Sequence, residues 1–146
     1  GMMRHHQTQP AHFLWHTHQF ENLAQLLYID PHWHRILKRL QGDKWVLTNS
    51  PRHYAEAVLR ALGLRHYFRG VISLQDLHYH PKPRRLAFTL ALRRAGHLAR
   101  HSCMVEDNLA NLRMAKCLRM RTLWLSRNKA PAWVDKRLKK VRNWRI

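Results

Sequence analysis

Four short apolar runs punctuate this chain at near-regular intervals: KWVLT (44–48), VISL (71–74), CMV (103–105) and TLWL (122–125). Each is too short for a helix and rich enough in bulky residues to be a buried strand. The stretches between them carry helical spacing. Ser50-Pro51 is a capping residue followed by a proline, a good helix start. Tyr54, Val58, Ala61 and Leu62 then share a face, and Gly63 ends it. Pro83 opens the next helix, with Leu86 and Leu90, and Ala87 and Ala91, at four-residue steps before Gly96. Asn108 starts a third, through Leu112 and Ala115. Ahead of the first run, residues 18–28 read as helical. Asp30-Pro31 starts a further helix with Ile36, Leu37 and Leu40 on its apolar face and Gly42 at its end. Strands alternating with helices predict an α/β fold with a mostly parallel sheet of about four strands.

The 146 residues amount to about one domain. An apolar fraction of 45% is enough for a packed core. No apolar run approaches the length that crosses a bilayer, about 20 residues, and the His-rich N-terminus has no apolar signal core. No membrane association is expected. Cys103 and Cys117 are too few for a disulfide framework, so a reduced cytoplasm is the expected location. The charge is unusual: 27 Lys plus Arg against 8 Asp plus Glu, a net +19. A solvated Arg-rich surface accounts for it, and so does a nucleic acid or other polyanion as partner. In the stretch RNKAPAWVDKRLKKVRNWRI, Lys and Arg alternate with Trp133 and Trp144. It reads either as a base-stacking clamp or, the preferred reading, as a terminal helix with Trp133, Leu138, Val141 and Trp144 packed inward. His12, His16, His18, His32 and His34 cluster in sequence, but their two-residue spacing sends neighbours to different helix faces, against a zinc site.

Working sites of parallel α/β sheets lie at the carboxyl ends of the strands. That rim here carries Thr48, Asn49, Glu106 and Asp107. Thr48 precedes a helix start, where free N–H groups favour a phosphate, although Thr48 and Ser50 also suit simple capping. Lys82 sits between two prolines, which hold the backbone in a stiff, extended path and can aim its ammonium at a phosphate. Glu106 and Asp107 are adjacent acids in an acid-poor chain, hard oxygen ligands suited to Mg²⁺ or to pairing with arginine.

In this order and spacing, these segments resemble the haloacid dehalogenase superfamily of phosphohydrolases, in its pyrimidine 5′-nucleotidase-like branch. WVLTNSPRHYAEAVLRALGL resembles the second motif and its helix, HPKPRRLAFTLALRRAG the lysine motif, and CMVEDNLANLRMAKCLRMRTLWL the acidic motif, with Asn111 in place. The resemblance implies a three-layer Rossmann-like core over residues 18–127, with 18–42 a remnant of a helical cap, after an irregular segment at 1–17 and before a basic tail or helix at 128–146. It implies that Thr48 binds the transferring phosphoryl group and that Asn49 lines its pocket. Lys82 would neutralise charge, Asp107 would ligate Mg²⁺, and Glu106 would be a second ligand or act through water. The metal site so composed is expected to be weak. The implied substrate is a phosphate-containing small molecule.

The family's aspartate nucleophile, from a DxDxT motif, has no counterpart: ahead of Thr48 the only acids are Glu21, Asp30 and Asp43. Without the central strand that carries it, the WVLT and CMV strands are expected to pair directly, to be bridged by AHFLW (11–15), or to be closed by a second copy in a homodimer. The expected function is therefore a Mg²⁺-dependent phosphohydrolase domain with hydrolysis lost or nearly lost. The alternatives are a non-catalytic phosphate, nucleotide or nucleic-acid binding protein, and an enzyme whose nucleophile comes from elsewhere.

Overall fold

Each strand of this chain finds its partner close by in sequence, across one intervening crossover. The computed structural model describes residues 23–28 and 30–139. They fall into two compact units, one built from the segment up to Ile29 with Asp43–Pro81, the other from Asp30–Gly42 with the chain from Lys82 onward.

In the first unit, β1 (Trp45–Leu47) and β2 (Gly70–Ile72) pair in parallel, Val46 opposite Val71. The crossover between them is α3 (Arg52–Ala61), against which the short α1 (Leu23–Leu26) packs. Ala55, Leu59, Leu64, Val71, Ile72 and Leu77 form the core. The buried face of α3 centres on Ala55 and Leu59 rather than on Tyr54, Val58, Ala61 and Leu62, and Ala61 is exposed. The buried face is thus turned by one residue from the expected stripe. Gly63 takes φ +66°, which an L side chain resists, and the chain folds back so that Leu64 N–H donates to the Leu59 carbonyl at 2.8 Å.

The second unit holds a three-stranded parallel sheet: β3 (Cys103–Glu106), β4 (Arg121–Leu125) and β5 (Lys136–Leu138), with β4 in the middle. Its helices are α2 (His32–Arg39), α4 (Arg85–Ala95) and α5 (Leu109–Cys117). Helix α5 is the crossover from β3 to β4 and packs on both. Asp30 starts α2 as expected, its Oδ1 accepting from the His32 N–H at 3.0 Å. Ala87, Phe88 and Ala91 are the buried face of α4, whereas Leu86 is exposed. The four-residue step does run through Ala87 and Ala91, but Phe88 beside them, not Leu86, fills the core.

Three expectations need correction. The strands do not form one four-stranded sheet, and β1 and β3 do not pair directly: among the described residues each lies in its own ladder. The tail is not a helix over its described part. Residues 136–138 are a strand, with Leu138 buried under the sheet's edge, because Asp135 fastens the chain to Thr122. The Asp135 carboxylate accepts from the Thr122 N–H and hydroxyl, both at 2.9 Å. Trp133 is half-buried under the Arg113 guanidinium, 5.7 Å from the ring centroid, rather than packed in a core. The strand bridge proposed for AHFLW (11–15), the histidines at 12, 16 and 18, Val141 and Trp144 lie outside the described residues.

Candidate functional site

At the carboxyl end of β1, the Thr48 N–H donates to the Ile72 carbonyl at 3.0 Å, continuing the ladder by one residue. The Thr48 hydroxyl oxygen accepts from the Ser50 N–H at 3.0 Å, closing a tight turn into α3. Thr48 thus closes the turn ahead of α3 rather than capping the helix, whose N-cap Pro51 has no side-chain cap bond. Asn49 is exposed at the tip of the turn. The turn is braced from the end of β2. The Leu74 N–H donates to the Ser50 carbonyl at 3.2 Å, and the Arg52 N–H to Gln75 Oε1 at 3.2 Å. Asp76 accepts from the Ser73 N–H (2.8 Å), the Ser73 hydroxyl (2.7 Å) and the Arg52 guanidinium.

In the second unit the lysine and acidic motifs meet. Lys82 Nζ lies 2.9 Å from Glu106 Oε2, with both side chains about nine-tenths buried. The Lys82–Pro83 peptide is cis, so the chain turns here instead of running extended between the prolines. Asn111 Nδ2 donates to the same Glu106 oxygen at 3.1 Å, reaching it from the first turn of α5. Glu106 Oε1 accepts from the N–H groups of Asp107 and Asn108, both at 3.3 Å. Asn108 caps α5, its side-chain oxygen accepting from the Ala110 N–H at 2.8 Å. The turn between strand and helix is pinned from behind by Trp124, whose buried indole donates to the Asp107 carbonyl at 2.7 Å.

The two acids are held differently. Burial pushes the Glu106 carboxyl up, but hydrogen bonding with Asp107 and with the Lys82 ammonium outweighs it and holds the group below its ordinary value. The hydrogen bond with Glu106 pushes the Asp107 carboxyl up, aided by burial and by repulsion from its neighbour. Glu106 is thus the ionised partner of Lys82, and Asp107 is the carboxyl that more readily keeps a proton.

These residues do not fit a resident Mg²⁺. Both Glu106 oxygens already accept from donors of the chain itself, and an ammonium stands where a second cation would have to compete. Asp107 alone remains, and among the described residues no group of three or more His, Cys, Asp or Glu side chains could hold a metal. Hard divalent cations take six or more oxygens, and Mg²⁺ demands near-octahedral geometry. Sequence spacing brought Glu106 and Asp107 forward as a pair. What it did not show is that Lys82 and Asn111 absorb the first of them. The anchoring by Trp124 was also missed: its only signal is register, since Trp124 stands opposite Glu106 on the neighbouring strand.

The haloacid dehalogenase-like hydrolase family matches residues 4–119, which include both strand-end turns and the lysine segment. This chain belongs to that family. Among solved structures it is similar to a haloacid dehalogenase-like phosphatase from Thermococcus onnurineus, at 24% identity and a TM-score of 0.75 over 84% of this chain and 59% of that one. A 2-haloacid dehalogenase from Pseudomonas syringae pv. Tomato DC3000 matches at 27% identity and a TM-score of 0.65, over 88% of this chain and 54% of that one. The magnesium-bound hydrolase YfnB from Bacillus subtilis matches at 20% and 0.64, over 76% and 50%. The chain thus spans between half and three fifths of these relatives. No curated protein matches it by sequence. The α/β, Rossmann-like class holds. Among the described residues no helix is long and apolar enough to cross a membrane.

Proposed function

We propose that the chain is a haloacid dehalogenase-like domain of the pyrimidine 5′-nucleotidase-like branch that keeps the residues for holding a phosphate monoester and has lost, or nearly lost, its hydrolysis. The observation that carries this reading is the closed Lys82–Glu106–Asn111 cluster. In this reading the cluster supplies a positive charge suited to a phosphoryl group, while the Lys82 and Asn111 donors occupy the carboxylate that would otherwise recruit a metal. The family resemblance is what assigns the Thr48 hydroxyl and the Asn49 amide to phosphoryl oxygens, and Lys82, held by Glu106, to the counter-charge. Asp107, whose carboxyl is raised by its hydrogen bond with Glu106, is left as the single acid of this cluster, and Mg²⁺ affinity is correspondingly weak.

These are tasks of positioning and charge stabilisation, which make up most of phosphoryl-transfer catalysis. They make no bond on their own. An attacking carboxylate is required to form an aspartyl-phosphate, and the 146 residues hold no Asp ahead of Asp30. In this reading these residues hold a phosphate or nucleotide without turning it over.

Calorimetric titration with inorganic phosphate and with uridine monophosphate tests the reading. Binding should weaken about tenfold in Thr48→Val, the loss of one hydrogen bond to a charged group, about 1.5 kcal/mol. Equal binding by wild type and variant, or none by either, would refute it.

A further inference from the structure

Between Asp76 and Glu106 the sequence holds no acid at all, while it holds Arg84, Arg85, Arg93, Arg94 and Arg100. The structure places all five at the surface. Arg85, Thr89 and Arg93 follow one another at four-residue steps, so they form one stripe along α4, with about 12 Å between its ends. The helix stops at Gly96, φ +72°, and the chain continues through exposed His97, Leu98, Arg100 and His101.

Elsewhere, among the described residues, five acids pair with other cations. Asp43 pairs with Arg69, Glu56 with Arg60 and Arg65, Asp76 with Arg52, Glu106 with Lys82 and Asp135 with Lys116. None of these pairs involves Arg85, Arg93 or Arg100. With no acid on α4 itself, its stripe is a concentrated positive face, and part of a net charge of +19.

We propose that the solvent face of α4, with Arg85, Arg93 and the following Arg100, binds the phosphate backbone of nucleic acid. Arginine is the residue suited to this, because its planar fork meets phosphodiester oxygens two at a time. An anionic membrane is the poorer match. The apolar face of α4, Ala87, Phe88 and Ala91, is spent on the core, which leaves only Leu86 and Leu98 to enter a lipid interface. The binding proposed is of backbone, where phosphate contacts give position and affinity without sequence readout.

Fluorescence anisotropy with a labelled 20-base-pair duplex of mixed sequence, between 50 and 200 mM NaCl, tests this. Arg85→Gln/Arg93→Gln/Arg100→Gln keeps helix propensity. Its control, Arg39→Gln/Arg119→Gln/Arg127→Gln, removes the same charge from exposed sites elsewhere. Each phosphate contact contributes about 0.9 to the slope of log K against log salt, so the first variant should lose about 2.7 from the slope. That is about 40-fold less weakening over this fourfold salt range. The control should keep most of the wild-type slope. An equal loss in both variants would show a net-charge effect and overturn the proposal. So would the absence of binding at 50 mM salt, or tighter binding to phosphatidylserine vesicles than to the duplex.

Discussion

Replacing Lys82 by Met strands a carboxylate. Glu106 would keep its bond from Asn111 and its two long contacts to backbone N–H groups, but its counter-charge at 2.9 Å would be gone. At that separation and an effective dielectric of about 20, the attraction is about 6 kcal/mol. Desolvating both groups costs several kcal/mol each, so the intact pair contributes little net stability. The single variants are different, because each leaves one buried charge without its partner. Lys82→Met and Glu106→Gln should each cost about 3–5 kcal/mol, a large part of a stability of about 5–15 kcal/mol. The double variant leaves no charge stranded, and its Gln can still accept from Asn111. It should cost about 2 kcal/mol, far less than the sum of the singles. Urea unfolding followed by tryptophan fluorescence reads all four proteins, since the chain has six Trp. Additive losses, with the double variant the weakest of the set, would refute the claim that Lys82 and Glu106 are strongly coupled.

Other consequences follow from single contacts. Asn108→Ala removes the cap of α5 and should cost about 0.5–2 kcal/mol in the same unfolding assay. A Cβ on Gly70 would sit 2.6 Å from the Trp45 ring, so Gly70→Ala must displace the indole and should cost about 1–3 kcal/mol, with a changed Trp emission. Asp135 is held below its ordinary value of 3.8, first by its bond from Lys116. Its contribution is therefore full above that pH and fades as the pH falls below it, and Asp135→Asn should flatten the acid limb of a stability–pH curve. Mg²⁺ titration should show no saturation below millimolar concentrations, because in the Lys82–Glu106–Asn111 cluster Asp107 is the acid left for it.

The alternation of apolar runs and helical spacing made the α/β class readable. It even gave strand ends at Thr48 and Glu106, because short buried strands carry their own punctuation in Pro, Gly and Asn. Two things were not readable. Sheet membership depends on which strand edges meet, and neither KWVLT nor CMV encodes that in its own residues. The tail's strand was hidden because KRL at 136–138 has no apolar alternation of its own; it is held by Asp135 bonding back to Thr122, thirteen residues away. In the candidate site, the motif spacing put forward Lys82, Glu106 and Asp107 but not their hydrogen-bond partners. That Glu106 spends its oxygens on Lys82 and Asn111 depends on how the lysine loop returns to β3, which no local pattern specifies.

The central claim is a phosphohydrolase scaffold without its chemistry. Turnover of p-nitrophenyl phosphate and of a panel of nucleoside monophosphates, with Mg²⁺ present, tests it most directly beside Asp107→Asn. The account predicts that the wild-type chain releases phosphate no faster than the variant. Release that is plain in the wild type and vanishes in Asp107→Asn would contradict it, and would mean that a nucleophile reaches the phosphoryl group by a route this chain's own residues do not provide.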